Sequence, residues 1–212
     1  MATGCGWHRA AAAGIRRRRH AGSGCGMHQS RPARRDPALC RALGQGTASP
    51  GMRVWRLDPE RAAEWRAIRL AALIDAPEAF GSTLDDWQDR PLADFAERLA
   101  NVPTFAAGRT EGEPLAVAAW QAGLDPSDDQ RGWLLSVYAR PEARGRGFAE
   151  TAIRAAIADA AAQGMTSIGL NVRDRAAHAQ ALYRRLGFRP SDRHEPSNSP
   201  DNPEIEMLRS LP

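Results

Sequence analysis

The chain contains no lysine, so all 29 residues counted as Lys or Arg are arginine. That removes the phosphate-gripping lysine of a P-loop and any amine able to form a Schiff base. Cysteine is confined to Cys5, Cys25 and Cys40. From Met52 onward there is therefore no thiol nucleophile, no internal disulfide and no thiolate metal ligand. Histidine is almost as scarce, with only His178 and His194 after Met52, too few for a histidine-based metal site. No apolar run approaches the ~20 residues that span a bilayer, and no G-x-S-x-G, H-E-x-x-H or C-x-x-C motif occurs. These absences point to a cytoplasmic protein that requires no metal and engages no membrane.

The charge is placed unevenly. The formal net charge of the 212 residues is +4, yet residues 1–51 carry nine arginines and a single acid, Asp36, which leaves the remainder mildly acidic. That first segment is dominated by Gly, Ala, Arg and Pro and has few large apolar residues (Trp7, Ile15, Leu39, Leu43). It buries too little to offset chain entropy and reads as low in order. Three accounts of it compete. Arg16 to Arg19 with Arg34 and Arg35 suit a nucleic-acid arm, the one route by which nucleic acid enters. An Arg-rich, acid-poor stretch also suits a transit peptide. The favoured account is upstream in-frame translation, with the native product beginning at Met52. The pairs Cys5/His8 and Cys25/His28 offer four zinc ligands in principle, but no apolar core surrounds them and chance pairing is the reading adopted.

Residues 52–212 form one regular unit, the size of a single domain. Met52 to Leu57 alternates like a strand. Asp58 and Pro59 open a helix as N-cap and first residue, which carries Trp65, Ile68, Leu70, Ala72 and Leu73 towards Ala76-Pro77. A polar, aromatic loop runs from Phe80 to Trp87, and a second helix starts near Leu92. Strands are expected over 104–109, 115–124 and 132–139, separated by the turn at 110–114 and an acidic loop at 125–129. A helix with Ile153 and Ile157 on one face stops near Gly164, a strand covers 167–172, and a helix over 176–186 closes at Gly187 before Phe188. Pro and Asn fill 190–203 ahead of a last strand over 204–208. The order βααβββαβαβ predicts an α/β (α+β) domain whose helices flank a mixed, mostly antiparallel sheet.

One junction carries the chemistry. An apolar strand ending Val137-Tyr138-Ala139 meets a Pro141 turn, then Arg144-Gly145-Arg146-Gly147, then at once the helix beginning Phe148-Ala149. Glycines let backbone N–H groups crowd at the helix start, where the orphan donors and the positive end of the helix dipole suit phosphate oxygens. A Rossmann fingerprint from Gly145 needs glycine at 150, which is Glu. A Walker loop needs the missing lysine. A diphosphate-bearing ligand is what remains. For each arginine the alternative is a solvated surface charge, and for each glycine an ordinary turn.

Arg144-Gly145-Arg146-Gly147-Phe148-Ala149 resembles the Arg/Gln-x-x-Gly-x-Gly/Ala loop of the Gcn5-related N-acetyltransferase (GNAT) superfamily. Ala179-Gln180-Ala181-Leu182-Tyr183-Arg184-Arg185-Leu186-Gly187-Phe188 is similar to its Ala-x-x-Leu-Tyr-x-x-x-Gly-Phe segment, and Pro77 to Ser82 to its acceptor-side loop. The resemblance covers Met52 to Leu211. It implies an enzyme, an acyltransferase that moves acetyl from acetyl-CoA to a primary amine on a small molecule or a peptide. It implies central strands that splay to hold the pantetheine against Val137, Tyr138 and Ala139, with the diphosphate on residues 144 to 149. Tyr183 becomes the candidate general acid, since a phenol stays protonated at neutral pH and can donate to a departing thiolate. Its alternative is a packed helix tyrosine. Phe80, Asp85, Asp86 and Trp87 are the candidate acceptor-binding residues, and the carboxylates hint at a cationic or amine substrate. Two departures stand out. Ala176 replaces an asparagine that contacts the cofactor in many members, and the strand before the loop offers Ser136 and Tyr138 but no carboxylate as base. Asp85, Asp86, Glu204, Glu206 or a water chain are left for that role. The second functional reading is a CoA-binding module that regulates a partner without turnover. A monomer or a homodimer fits either.

Overall fold

The computed structural model describes residues 51–122, 128–191 and 203–212. The N-terminal segment with its Cys/His pairs, the acidic stretch 123–127 and residues 192–202, including His194, lie outside the described residues. The elements are β1 (Arg53–Arg56), α1 (Ala62–Asp75), α2 (Leu92–Asn101), β2 (Thr104–Gly108), β3 (Ala116–Ala122), β4 (Arg131–Ala139), α3 (Phe148–Ala162), β5 (Ser167–Arg173), α4 (Ala177–Arg185), β6 (Arg189–Pro190) and β7 (Glu204–Ser210). They build one seven-stranded sheet of order β1-β2-β3-β4-β5-β7-β6. Every pairing is antiparallel except β4 with β5. The mixed, mostly antiparallel sheet flanked by helices is the architecture the sequence implies.

Two corrections are local. Asp58 makes no side-chain cap; it pairs with Arg56 at 3.3 Å, and the chain enters α1 through a 3-10 turn over Pro59–Arg61. The two-residue strand β6 was not anticipated because Pro190 argues against a strand. It pairs only with β7, and on a sheet edge proline's missing donor costs no ladder bond.

Strand alternation sorts the core into two layers. Ala106, Val117 and Tyr138 face α1 and α2, packing with Trp55, Trp65, Ile68, Ala72, Phe95 and Leu99. Their neighbours Phe105, Ala107, Ala116 and Ala118 face α3, packing with Phe148, Ile153, Ala156 and Ile157, and this layer continues to Tyr183, Leu186 and Phe188. Alanine dominates the α3 contact, which lets the helix approach the sheet closely. A buried Asp159 on α3 is satisfied by the Trp120 indole N–H at 2.8 Å and by Arg56 at 3.5 Å.

Candidate active site

The parallel pair β4–β5 is joined only over Arg131 to Trp133 and Ser167 to Gly169. Beyond those residues the strands part, and among the described strands the C-terminal half of β4 keeps only β3 as a partner. A bulge marks the change. Val117 opposes Tyr138 and Ala119 opposes Leu135, so Ser136 and Val137 together face Ala118. Ser136 sits at φ +53°, the one non-glycine with positive φ among the described residues. The Arg140 N–H returns to the Leu115 carbonyl at 2.9 Å, and Tyr138 pairs with Val117. By alternation, the main-chain groups of Val137 and Ala139 point the other way, into the gap that β5 has left.

The gap opens onto the Arg/Gly loop. Gly145 at φ +71° and Gly147 at φ +86° both occupy the left-handed region, which side chains disfavour. Gly147 is the N-cap of α3, and the first helical bond runs from the Thr151 N–H to its carbonyl at 3.0 Å. Helix geometry therefore leaves the N–H groups of Gly147, Phe148, Ala149 and Glu150 without intrahelical acceptors at the positive end of the dipole. The N–H groups of Arg144 and Arg146 are instead engaged in the turn, donating to the carbonyls of Pro141 and Ala143. Arg146 and Phe148 line a recess of about 270 Å³. Arg146 makes no ion pair among the described residues, whereas Arg144 reaches back across the domain. Its Nη2 pairs with Asp75 at the end of α1, and its Nε donates to the Ala139 carbonyl at 3.2 Å.

Asp75 also faces the Tyr138 phenol. Burial, then the charge and hydrogen bonding of Asp75, hold that phenol above its ordinary value, with Arg144 and Arg140 pulling the other way. This Arg144–Asp75–Tyr138 cluster was invisible in sequence because its members come from α1, β4 and the loop.

On α4 the Leu-Tyr-x-x-x-Gly-Phe spacing has a structural cause. Gly187 at φ +88° donates to the Arg184 carbonyl, and Phe188 donates to the Tyr183 carbonyl, each at 3.0 Å. This is a Schellman ending, in which the residue after the glycine packs on the residue at C3. The Phe188 ring meets the Tyr183 ring edge-on with centroids 5.8 Å apart. Tyr183 is thereby locked in place, and burial pushes its phenol up to about 12, so it is protonated throughout the neutral range. Ala176 caps α4 without any side-chain bond.

The loop over residues 80–88 is held by its own side chains and by α1. Asp86 accepts from the Thr83 N–H at 2.7 Å and hydroxyl at 3.0 Å, and Asp85 accepts from Gln88 at 3.1 Å. Phe80 and Trp87 instead flank Arg69 of α1, with ring centroids 5.0 and 5.4 Å from the guanidinium carbon. Arg69 takes the buried place on the helix that Leu70 was expected to fill, and Leu70 is only half-buried. Among the other carboxylates, Glu206 pairs with buried Arg131. Among the described residues no group of His, Cys, Asp or Glu is arranged to hold a metal, and no helix is long and apolar enough to cross a membrane. A larger recess of about 780 Å³, lined by Arg154, Arg185, Arg189 and Arg209, lies between the end of α4 and β7 and shares no residue with the β4 gap or the loop.

This geometry defines a class: the fold recurs in solved acetyltransferases. One, an acetyltransferase of the GNAT family from Streptococcus pneumoniae, superposes with a TM-score of 0.63 at 18% identity, over 76% of this chain and 99% of that one. Another, a ribosomal-protein-alanine N-acetyltransferase from Brucella melitensis, gives 0.57 at 20% identity, over 74% and 99%. In sequence, an L-methionine sulfoximine/L-methionine sulfone acetyltransferase from Pseudomonas paraeruginosa is 32% identical over 140 residues, 58% of this chain and 79% of that protein. Its namesake from Pseudomonas aeruginosa is 31% identical over 138 residues, with the same coverage. The acetyltransferase (GNAT) family matches residues 65–188. The chain belongs to that family and is an N-acetyltransferase, and the family implies acetyl-CoA as its acyl donor.

Proposed function

We propose that residues 52–212 transfer acetyl directly from acetyl-CoA to the primary amine of a small, amino-acid-like acceptor, with Tyr183 as general acid. The observation that carries this reading is the parting of β4 from β5 immediately before a helix start with free N–H groups. Pantetheine amides add to the open edge at Val137 and Ala139 as an extra strand would. The diphosphate lies on the N–H groups of residues 147 to 150, with Arg146 at its flank. The acceptor's neutral nitrogen attacks the thioester carbon, a C–N bond forms, and the C–S bond breaks. Tyr183 gives its proton to the leaving thiolate, while the proton lost by nitrogen passes to water. The donors at the gap hold the developing oxyanion. An amino acid is favoured as acceptor because the two sequence relatives are named for L-methionine sulfoximine and L-methionine sulfone.

The test is release of free thiol from acetyl-CoA across an amine panel that includes L-methionine sulfone, with the product identified by mass. Thiol release with N-acetylated product supports the enzyme. Tight CoA binding with no release from any amine supports instead the non-catalytic CoA module, a reading favoured by Ala176 and by the lack of a carboxylate on β4.

A further inference from the structure

Among the described residues Arg69 is a buried cation without a counterion. Its residue is 6% exposed, and it makes no ion pair among the described residues. The Nη2 donates to the Ser82 hydroxyl at 3.0 Å, and the Nε has no acceptor among the described residues. A donor left unpaired in the interior is costly, and a full positive charge more so. The neighbourhood adds to the cost. Burial, then the charge of Arg98 on α2, lowers the Arg69 guanidinium to about 10, and burial does the same to Arg98. The rings of Phe80 and Trp87 both lie against the guanidinium. Cation–π contact offsets part of the desolvation but supplies no acceptor oxygen. The guanidinium edge thus holds the unpaired Nε beside an Nη2 engaged only by a hydroxyl, a flat fork matched to two oxygens of one planar group.

The place of this cation along α1 matters. Asp75, six residues further on, touches the loop residue Arg144. Six residues of helix span ~9 Å along the axis, so α1 carries Arg69 and a contact to the Arg/Gly loop on one rigid element. Ser82 and the rings belong to the half-buried acceptor-side loop, so a ligand oxygen reaches the fork by displacing the Ser82 hydroxyl.

We propose that Arg69 is the specificity-determining anchor for a carboxylate on the acceptor, so that the enzyme selects amines that carry a carboxylate near the reacting nitrogen. This rests on the acetyl-transfer reading above. The probe pair is L-methionine sulfone and its carboxamide, which has the same shape but no charge. The wild-type protein is expected to favour the carboxylate by about 10- to 100-fold in kcat/KM per neutral amine. Arg69→Met is expected to lose that factor on the sulfone while changing the carboxamide by less than about threefold, with Arg69→Lys in between. Equal kcat/KM on the two probes in the wild type overturns the proposal, as does an Arg69→Met variant that loses both activities alike. If Arg69→Met does not fold, the wild-type comparison decides alone. Failure of acetyl transfer itself looks different, because the wild type then releases thiol with neither probe. Calorimetry on the CoA-loaded protein then reads the anchor: tighter binding of the carboxylate supports it, and equal or absent binding of both overturns it.

Discussion

Replacing Gly147 with alanine separates the loop's backbone from its chemistry. Gly147 lies at φ +86°, and Gly164, the C′ residue of α3, at φ +88°. A Cβ at 147 meets only the Met52 methyl at 3.6 Å, an ordinary contact, and one at 164 meets nothing within 4 Å. Forcing an L residue into the left-handed region costs about 1–2 kcal/mol, and a stiffer unfolded chain returns about 0.4–1. Both variants therefore lose about 1 kcal/mol, roughly 2–4 °C in Tm for a domain of this size. Only Gly147→Ala disturbs the N–H groups at the start of α3. Relaxing its φ swings at least one charge-assisted donor off the diphosphate, worth about 1.5–3 kcal/mol, or about 10- to 100-fold in affinity. At CoA about 100 times the wild-type Kd, binding stabilises the fold by about 2.7 kcal/mol; a 30-fold weaker variant keeps about 0.9. Thermal melts with and without CoA read this directly. Gly164→Ala keeps the full CoA-induced rise and Gly147→Ala about a third of it. Equal rises in the two variants refute the diphosphate assignment.

The remaining predictions concern the phenols and the α1 cluster. Tyr183→Phe keeps the ring packed on Phe188 and is expected to lower kcat about 100-fold with KM for acetyl-CoA within threefold; an unchanged kcat removes the acid role. The raised Tyr183 phenol also sets a stability window. Below pH 10 both states hold the proton, and between about 10 and about 12 only the folded state does, so stability falls as pH climbs through that range. Tyr183→Phe flattens the fall, which urea melts at pH 9 and 11 measure. The chain has only two tyrosines, so absorbance titration of Tyr183→Phe reports Tyr138 alone. Adding Asp75→Asn shifts that titration to lower pH; no shift means that Asp75 does not act on Tyr138.

The legible parts of this protein were those written in local chemistry. Gly164 and Gly187 end their helices in the conformation that only glycine adopts cheaply, and each was readable as a C′ residue. The Arg/Gly loop was readable because a strand, two glycines and a helix follow one another without interruption. Features assembled from distant segments were not. Arg69 falls next to the apolar stripe of α1, and nothing in the helix pattern reveals that Phe80 and Trp87 fold back over it. Asp85 and Asp86 read as charges in sequence, and the hydrogen bonds they accept from Gln88 and Thr83 depend on how their loop folds. Ser136 looks like any strand residue. Its left-handed φ follows from the extra residue that β4 carries opposite Ala118 as it parts from β5, a tertiary demand that overrides the local preference.

The central claim is that the gap beside β4 and the start of α3 together hold acetyl-CoA. A crystal structure of residues 52–212 with CoA tests it most directly. The account predicts diphosphate oxygens within hydrogen-bond distance of the N–H groups of Gly147, Phe148 and Ala149, pantetheine along Val137 and Ala139, and the thiol beside the Tyr183 hydroxyl. CoA seated elsewhere, for example in the arginine-lined recess between α4 and β7, contradicts it.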